Sequence, residues 1–161
     1  MDIELRNRYL FSQKLVKEVG EIALDFYLNR NELKIECKKG DLQDQVSIAD
    51  KTVEAKIKDA LKSHFPQDGF LGEESGAENL VCEYCWVVDP IDGTSSFLYG
   101  LNAWCISIAI LHRNQIVCGV IFDPVHNELF RAMKGDGAFL NDHPIRASSS
   151  ISLKEGLIGL G

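Results

Sequence analysis

Two carboxylates three positions apart, Asp89 and Asp92, directly follow the apolar run at residues 86–88. Pro90 fixes its own φ and favours an extended conformation at Asp89, so both acids can face one cation or two neighbouring cations. The backbone carbonyl of Ile91 is expected to be free to act as a further oxygen ligand. Oxygen ligands without histidine or cysteine favour magnesium, manganese or calcium over zinc. The segment therefore predicts a site for hard metal ions at the end of a strand.

The residues after this pair are suited to holding a phosphate group. Gly93 permits close backbone approach, and Thr94 with the two serines that follow can supply the first N–H groups of a helix. Two further acidic clusters, Asp50 and Glu73-Glu74, border apolar runs and are expected at the same edge of a sheet. Crowded carboxylates repel one another, and a divalent cation relieves that repulsion. The pattern favours hydrolysis of a phosphate monoester by metal-activated water.

Each of these residues is given a role in that hypothesis. Glu73 is expected to hold a metal ion and to orient the attacking water. The Thr94 hydroxyl, paired with Asp50, is expected to position the water or to take part in proton transfer. Taken alone, Asp50 is also explained as a first-turn helix acid, and Glu73-Glu74 as solvated surface. The hypothesis therefore depends on the conjunction of the residues.

Two amphipathic helices are predicted to precede the strands. The first covers residues 3–29, and its apolar stripe consists of Leu15, Val19, Ile22 and Phe26. Ser47 and Asp50 predict a capping box at the start of the second helix, which Pro66 ends. The apolar face of that helix consists of Val53, Ile57 and Leu61. Residues 37–44 are polar and predict a loop.

From Gly69 onward the pattern changes to short β-rich runs. Strands are predicted at residues 70–72, 86–88, 105–111, 116–122, 128–133 and 138–140, and a polar turn at 113–115 predicts a hairpin. Two helices followed by mostly antiparallel strands predict an α+β layered sandwich, with residues 1–161 as one domain. Residues 157–161 resemble the start of a strand. The sheet would need cover on its other face, so the chain is expected to be half of a larger unit or a shortened form.

The bulk composition argues against several classes of protein. The chain has 161 residues and a net charge of −7 with no basic cluster, so nucleic acid is not an expected partner. Neither a membrane span nor a signal peptide is present in the sequence, which predicts a cytoplasmic protein. Cys82 and Cys85 form a C-x-x-C without a second pair, so neither structural zinc nor a disulfide is expected. The other cysteines, Cys37, Cys105 and Cys118, are predicted to be buried thiols.

Four stretches of the sequence resemble the inositol monophosphatase family. Residues 70–75 (F-L-G-E-E-S) are similar to its G-E-E motif, and residues 86–97 resemble its signature W-x-x-D-P-I-D-G-T-x-x-F. Residues 44–50 look like its D-x-V-T-x-x-D segment, and residues 135–141 resemble its G-x-G-A-F-x-N turn. The resemblance covers nearly all of the chain and implies the first half of an αβαβα fold.

The resemblance also implies a set of ligands for Mg²⁺. By it, Glu73, Asp89 and the Ile91 carbonyl would hold one ion, and Asp89 and Asp92 would share a second. Glu73 would also face a weaker third ion. Thr94 would lie beside the nucleophilic water. The implied substrate-binding residues are Glu73, Ile91, Asp92, Gly93 and Thr94.

The implied reaction is Mg²⁺-dependent hydrolysis of a small phosphorylated substrate, with inositol 1-phosphate as the first choice. A homodimer and inhibition by lithium are implied in the same way. Histidinol phosphate, a fructose bisphosphate and a 3′-phosphonucleotide remain alternative substrates, because the motifs present handle metal and phosphate rather than the alcohol. A non-catalytic remnant that binds metal or a partner is the alternative from a different class.

The sequence departs from the family pattern in three places. Ser47 stands where the family usually has threonine, and Asn102 where it often has proline. Family members also run considerably further and carry an aspartate for the second metal in a W-D motif, whereas Trp104 here is followed by Cys105. The second metal site is therefore expected to be incomplete, and the short chain alone is expected to be inactive.

Overall fold

The computed structural model describes residues 3–33, 35–37, 45–152 and 154. The predicted loop at residues 37–44 is wrong at Cys37, which lies in a short strand. The rest of that loop, residues 38–44 with Asp44, and the predicted strand at 157–161 lie outside these ranges. Three helices, a short 3₁₀ turn at Arg30–Glu32 and ten strands are described. The helices are α1 (Ile3–Leu28), α2 (Ile48–His64) and α3 (Thr94–Tyr99). The strands are β1 (Ile35–Cys37), β2 (Gln45–Ser47), β3 (Gly69–Gly72), β4 (Gly76–Glu78), β5 (Tyr84–Asp92), β6 (Cys105–His112), β7 (Gln115–Asp123), β8 (Glu128–Met133), β9 (Gly137–Leu140) and β10 (His143–Ile145).

Eight of the strands form one sheet in the order β10-β9-β8-β7-β6-β5-β3-β4. Strands β3 and β5 pair in parallel, and the other neighbours pair antiparallel. The predicted hairpin is confirmed, and Arg113 and Asn114 at its turn have φ values of +50° and +63°, as two-residue hairpin turns require. Helices packed on a mostly antiparallel sheet confirm the predicted α+β sandwich.

Helix α1 lies across β6 and β7 and also packs on α2. Its predicted apolar stripe is only partly correct, because Leu15 and Val19 are buried whereas Ile22 and Phe26 are only partly buried. The buried face is centred on small residues, since a Cβ on Gly20 would lie 2.5 Å from the Phe122 ring. Close approach to the sheet therefore rotates the helix away from the orientation that its large apolar residues predicted.

The capping box at the start of α2 is confirmed. The Ser47 hydroxyl accepts hydrogen bonds from the N–H groups of Ala49 and Asp50, and the Asp50 carboxylate accepts one from the Ser47 N–H at 2.9 Å. Val53, Ile57 and Leu61 are buried as predicted, and the helix ends before Pro66. The cap holds Asp50 at a defined place at the N-terminal end of this helix.

Ser47→Ala is expected to lower the free energy of unfolding by about 1 kcal/mol, because the first-turn N–H groups lose their acceptor. The urea midpoint measured by circular dichroism checks this value. Thr52→Ala is the matched control, since the Thr52 hydroxyl donates to the Ile48 carbonyl on the exposed side of the same helix. An equal loss in both variants would contradict the role given to the cap.

A buried ion pair ties α1 to the strand that carries the acidic pair. Arg8 is 7% exposed and binds both carboxylate oxygens of Asp68, at 2.7 and 2.8 Å. Asp68 also accepts a hydrogen bond from the Trp86 indole at 2.8 Å. Because Trp86 lies in β5, this network positions the strand that leads to Asp89.

The sheet face away from α1 and α2 is apolar. Ile121, Phe130 and Ile145 are at least partly exposed there, around a shallow cavity of about 300 Å³. Among the described residues, no helix combines the length and the hydrophobicity that crossing a bilayer requires.

Candidate functional site

The acidic pair lies at the end of β5, which is longer than predicted. The strand continues from Trp86 through Pro90 to Asp92, and its register against β6 shifts between Asp89 and Asp92. A proline has no N–H to donate, so it is accommodated at such an irregularity. Asp89 is half-buried and Asp92 is exposed. The irregular strand end therefore presents two carboxylates at different depths.

Asp89 lies in a strongly negative environment. Burial, together with the Glu73, Asp92 and Asp50 carboxylates, raises its pKa to about 7, and Glu73 is in hydrogen-bonding contact with it. Asp89 Oδ1 is buried and has no hydrogen-bond partner among the residues that the structure describes. A nearby positive charge stabilises the ionised form of a carboxylate that is buried among other carboxylates.

Asp50 uses its two oxygens for different partners. Oδ2 accepts hydrogen bonds from the N–H and the hydroxyl of Ser47, at 2.9 and 2.6 Å. Oδ1 faces the Thr94 hydroxyl at 3.4 Å. Asp50 is 1% exposed, and burial raises its pKa; the Ser47 hydrogen bonds oppose the shift and Glu73 adds to it. Asp50 is thus both a capping residue and a neighbour of Thr94.

The Ile91 carbonyl is not wholly free, contrary to the prediction. It accepts a hydrogen bond from the Thr94 hydroxyl at 3.0 Å, because the chain turns back on itself at Gly93. A carbonyl oxygen has a second lone pair, so it can still act as a ligand. Gly93 adopts a left-handed conformation with φ +89°, which a glycine tolerates without strain.

Sequence reasoning missed two residues at this site. Cys105, predicted to be buried, is partly exposed, and its thiol lies 3.7 Å from Asp92 Oδ2. Burial and Asp92 raise the pKa of Cys105 to about 12, so it remains a neutral thiol. Glu54 on α2 is 2% exposed and holds the turn that follows Glu73. The signal for Glu54 was its position next to Val53 on the apolar face of the helix.

The cysteine predictions are otherwise mixed. Cys118 is buried as predicted, whereas the side chain of Cys37 lies outside the described residues. Cys82 and Cys85 carry free thiols.

The donor set suits a hard cation, although it is not arranged as a finished metal site. Within residues 3–33, 47–152 and 154, no three histidine, cysteine or acidic side chains are grouped so as to hold a metal ion. The buried oxygen of Asp89 nevertheless lacks a partner there, and the neighbouring charges are carboxylates. Oxygen donors of this kind match Mg²⁺ or Ca²⁺. The residues that the structure brings together are Asp50, Glu73, Asp89, Asp92 and Thr94.

Comparison with known proteins agrees with the resemblance found in the sequence. The model of the inositol monophosphatase family matches residues 4–159. Inositol monophosphatase 1 of Solanum lycopersicum is 39% identical over 147 residues, which are 89% of this chain and 52% of that protein. A putative Nus factor SuhB of Neisseria meningitidis is 35% identical over 149 residues, covering 92% of this chain and 56% of that protein.

Solved structures are similar over the same region. The IMPase of Thermotoga maritima superposes with a TM-score of 0.84 at 33% identity, over 92% of this chain and 57% of that one. An IMPase/NADP phosphatase solved with Mg²⁺ and phosphate has a TM-score of 0.81 at 23% identity, which shows the fold alone. The chain spans about half the length of the relatives that it matches. With its signature segment at residues 86–97 and the family model matched over nearly its whole length, the chain belongs to the inositol monophosphatase family.

Proposed function

We propose that this chain supplies the cation-binding and phosphate-binding part of a Mg²⁺-dependent phosphomonoesterase, with inositol 1-phosphate as the first substrate to test. The observation that carries the proposal is the state of Asp89. Its buried oxygen lacks a described partner, and burial with three neighbouring carboxylates raises its pKa to about 7. Burying such a group is costly unless a cation compensates it.

In this proposal Glu73, Asp89 and the Ile91 carbonyl hold one Mg²⁺, and Asp89 and Asp92 share a second. When bound, the ions supply charge neutralisation at the phosphate and a lowered pKa for the attacking water. Gly93 and Thr94 contribute backbone N–H groups to the phosphate. The exposed position of Asp92 leaves room for further ligands, and we expect them to come from a segment that corresponds to the part of the relatives outside the match.

Thr94 and Asp50 form the proton-handling pair. The Thr94 hydroxyl has one proton and two acceptors, the Ile91 carbonyl at 3.0 Å and Asp50 Oδ1 at 3.4 Å. When the hydroxyl donates to Asp50, its lone pairs are free to accept a proton from the attacking water. The raised pKa of Asp50 lets this carboxylate take up the proton passed on by Thr94.

Phosphate release by the full-length protein tests the proposal. We expect turnover of inositol 1-phosphate that needs Mg²⁺ and stops when the metal is chelated, measured as free phosphate. Histidinol phosphate, fructose 1,6-bisphosphate and a 3′-phosphonucleotide form the substrate panel. No turnover of any of these phosphomonoesters, in protein shown to be folded, would remove the proposal.

Thr94→Val is expected to lower kcat about a hundredfold, because the isosteric side chain cannot pass a proton to Asp50. Mg²⁺ affinity, measured by calorimetry, is expected to stay within about threefold of the unsubstituted value, since the valine removes no carboxylate. Thr94→Ser keeps the hydroxyl and serves as the control. A serine variant as slow as the valine variant would contradict a role for the hydroxyl.

A non-catalytic role is the second candidate function. The relative named as a putative Nus factor favours it. Calorimetric titration of the full-length protein with Mg²⁺ separates the two. Cation binding without turnover would support a binding module, whereas binding with turnover supports the enzyme.

A further inference from the structure

The loop that carries Glu73 is short and has glycine at both ends. Strands β3 and β4 pair antiparallel through Gly72 and Gly76, so Glu73, Glu74 and Ser75 form the whole connection between them. Gly76 has φ +73°, a conformation open to glycine at little cost. The pairing of Gly72 with Gly76 and the positive φ of Gly76 are typical of a three-residue hairpin loop. Contacts from outside the loop can further fix the peptide units beside Glu73.

Glu54 makes the contacts that could do this. Its Oε2 accepts the N–H of Glu74 at 2.8 Å, and its Oε1 accepts the N–H of Ser75 at 2.7 Å. Both distances are short, as is usual for hydrogen bonds to a charged acceptor. The carboxylate thus binds two successive N–H groups of the loop and fixes the peptide units directly after Glu73.

The approach of Glu54 is close enough to restrict the neighbouring sequence. A Cβ on Gly72 would lie 2.5 Å from Glu54 Oε2, so the residue before Glu73 must lack a side chain for the clamp to form. Glu54 itself is 2% exposed on α2, four positions after Asp50 in the same helix. One helix therefore positions two parts of the site, Asp50 directly and Glu73 through the loop.

Burying a carboxylate for stability alone is inefficient, because its desolvation offsets much of the gain from its hydrogen bonds. The cost is understandable if the two bonds set the position of a functional side chain. Glu73 is already in hydrogen-bonding contact with Asp89. We infer that Glu54 is a positioning residue, which clamps the Glu73–Ser75 loop and aims the Glu73 carboxylate at the cation beside Asp89.

The inference rests on the proposed function and is tested in the full-length protein. Glu54→Gln is nearly isosteric but offers one good acceptor in place of two, and Glu54→Ala offers none. The dissociation constant for Mg²⁺, measured by calorimetry, is expected to rise about tenfold in Glu54→Gln and further in Glu54→Ala. Asp59→Asn, an exposed charge removal on the same helix, is the control and is expected to leave the constant unchanged.

A double-mutant cycle separates positioning from general stability. In a Glu73→Gln background, Glu54→Gln is expected to add little further loss of Mg²⁺ affinity, because it acts through Glu73. Equal losses in both backgrounds, or no loss in Glu54→Gln on its own, would overturn the inference while leaving the proposed function standing. Absence of Mg²⁺ binding by the unsubstituted protein would overturn both.

Amide exchange in the unsubstituted protein tests the clamp even if the Glu54 variants fail to fold. The N–H groups of Glu74 and Ser75 are expected to exchange at least tenfold more slowly than in an unstructured peptide, measured by NMR in deuterated water. Exchange at the unstructured rate would show that the clamp does not persist in solution and would overturn the inference.

Discussion

Asp89→Asn in the full-length protein is expected to lower Mg²⁺-dependent phosphate release by about a thousandfold or more, and to stabilise the metal-free protein at pH 8. The first effect follows because Asp89 is the proposed ligand shared by both cations. The second follows because Asp89 is held among the Glu73, Asp92 and Asp50 carboxylates. Asparagine removes the repelled charge and has a similar shape. Free phosphate assays and thermal melting in the presence of a chelator measure the two effects.

The pH dependence of stability gives this prediction a definite sign. The folded protein holds the pKa of Asp89 at about 7, whereas that of an unfolded aspartate is about 3.9. Between these values the folded state binds the extra proton, so the free energy of unfolding of the metal-free protein falls as pH rises. Asp89→Asn lacks this contribution. The stability difference between variant and unsubstituted protein is therefore expected to grow from about pH 4 to about pH 7 and then to level off.

Magnesium is expected to make the unsubstituted protein more stable than Asp89→Asn at pH 8, the reverse of the order without metal. It raises the melting temperature of the unsubstituted protein, because binding to the folded state is linked to stability, and it leaves Asp89→Asn nearly unchanged. Asp136→Asn, an exposed acid in the turn between β8 and β9, controls for a general loss of negative charge. A metal-free Asp89→Asn protein less stable than the unsubstituted one at pH 8 would contradict the strained state of Asp89.

Local signals in the sequence were enough for most of the fold. β-rich runs joined by a polar turn correctly predicted β6 and β7, a further β-rich run predicted β8, and Ser47 with Asp50 predicted the start of α2. The three-residue strands β1, β2, β4 and β10 were missed because such short segments contain no periodic pattern. The parallel pairing of β3 with β5 also carried no local signal, since it is decided by packing between distant parts of the chain.

The site could be predicted where its chemically active residues lie close together in the sequence. Asp89 and Asp92 directly follow an apolar run, and acidic residues in that position are typical of the end of a strand. The strand was predicted at residues 86–88 only, whereas a shift in register allows β5 to continue past Pro90 to Asp92. The role of Glu54 could not be predicted from the sequence. Its partners are backbone N–H groups, and these do not depend on the type of the residue that carries them.

Gly93→Ala is expected to lower the free energy of unfolding by about 3 kcal/mol, the sum of two costs. A left-handed conformation costs a non-glycine residue about 1–2 kcal/mol, and overpacking against backbone adds about as much again. Gly93 has φ +89°, and a Cβ there would lie 2.7 Å from the Ala103 carbonyl oxygen. Urea denaturation measures the loss, and phosphate release is expected to fall with it, because the same peptide is proposed to face the phosphate.

Gly76→Ala isolates the first of these costs, that of the left-handed conformation. Gly76 also has a positive φ, +73°, but a Cβ there would meet nothing within 4 Å, so only the conformational cost of about 1 kcal/mol remains. The excess at Gly93 then reports the tight contact with residues 103 and 104, where Trp104 packs 4.9 Å from the Phe97 ring behind α3. Equal costs at the two glycines would mean that residues 103 and 104 move to make room for the added methyl group. The start of α3 would then be too loosely held to position a phosphate.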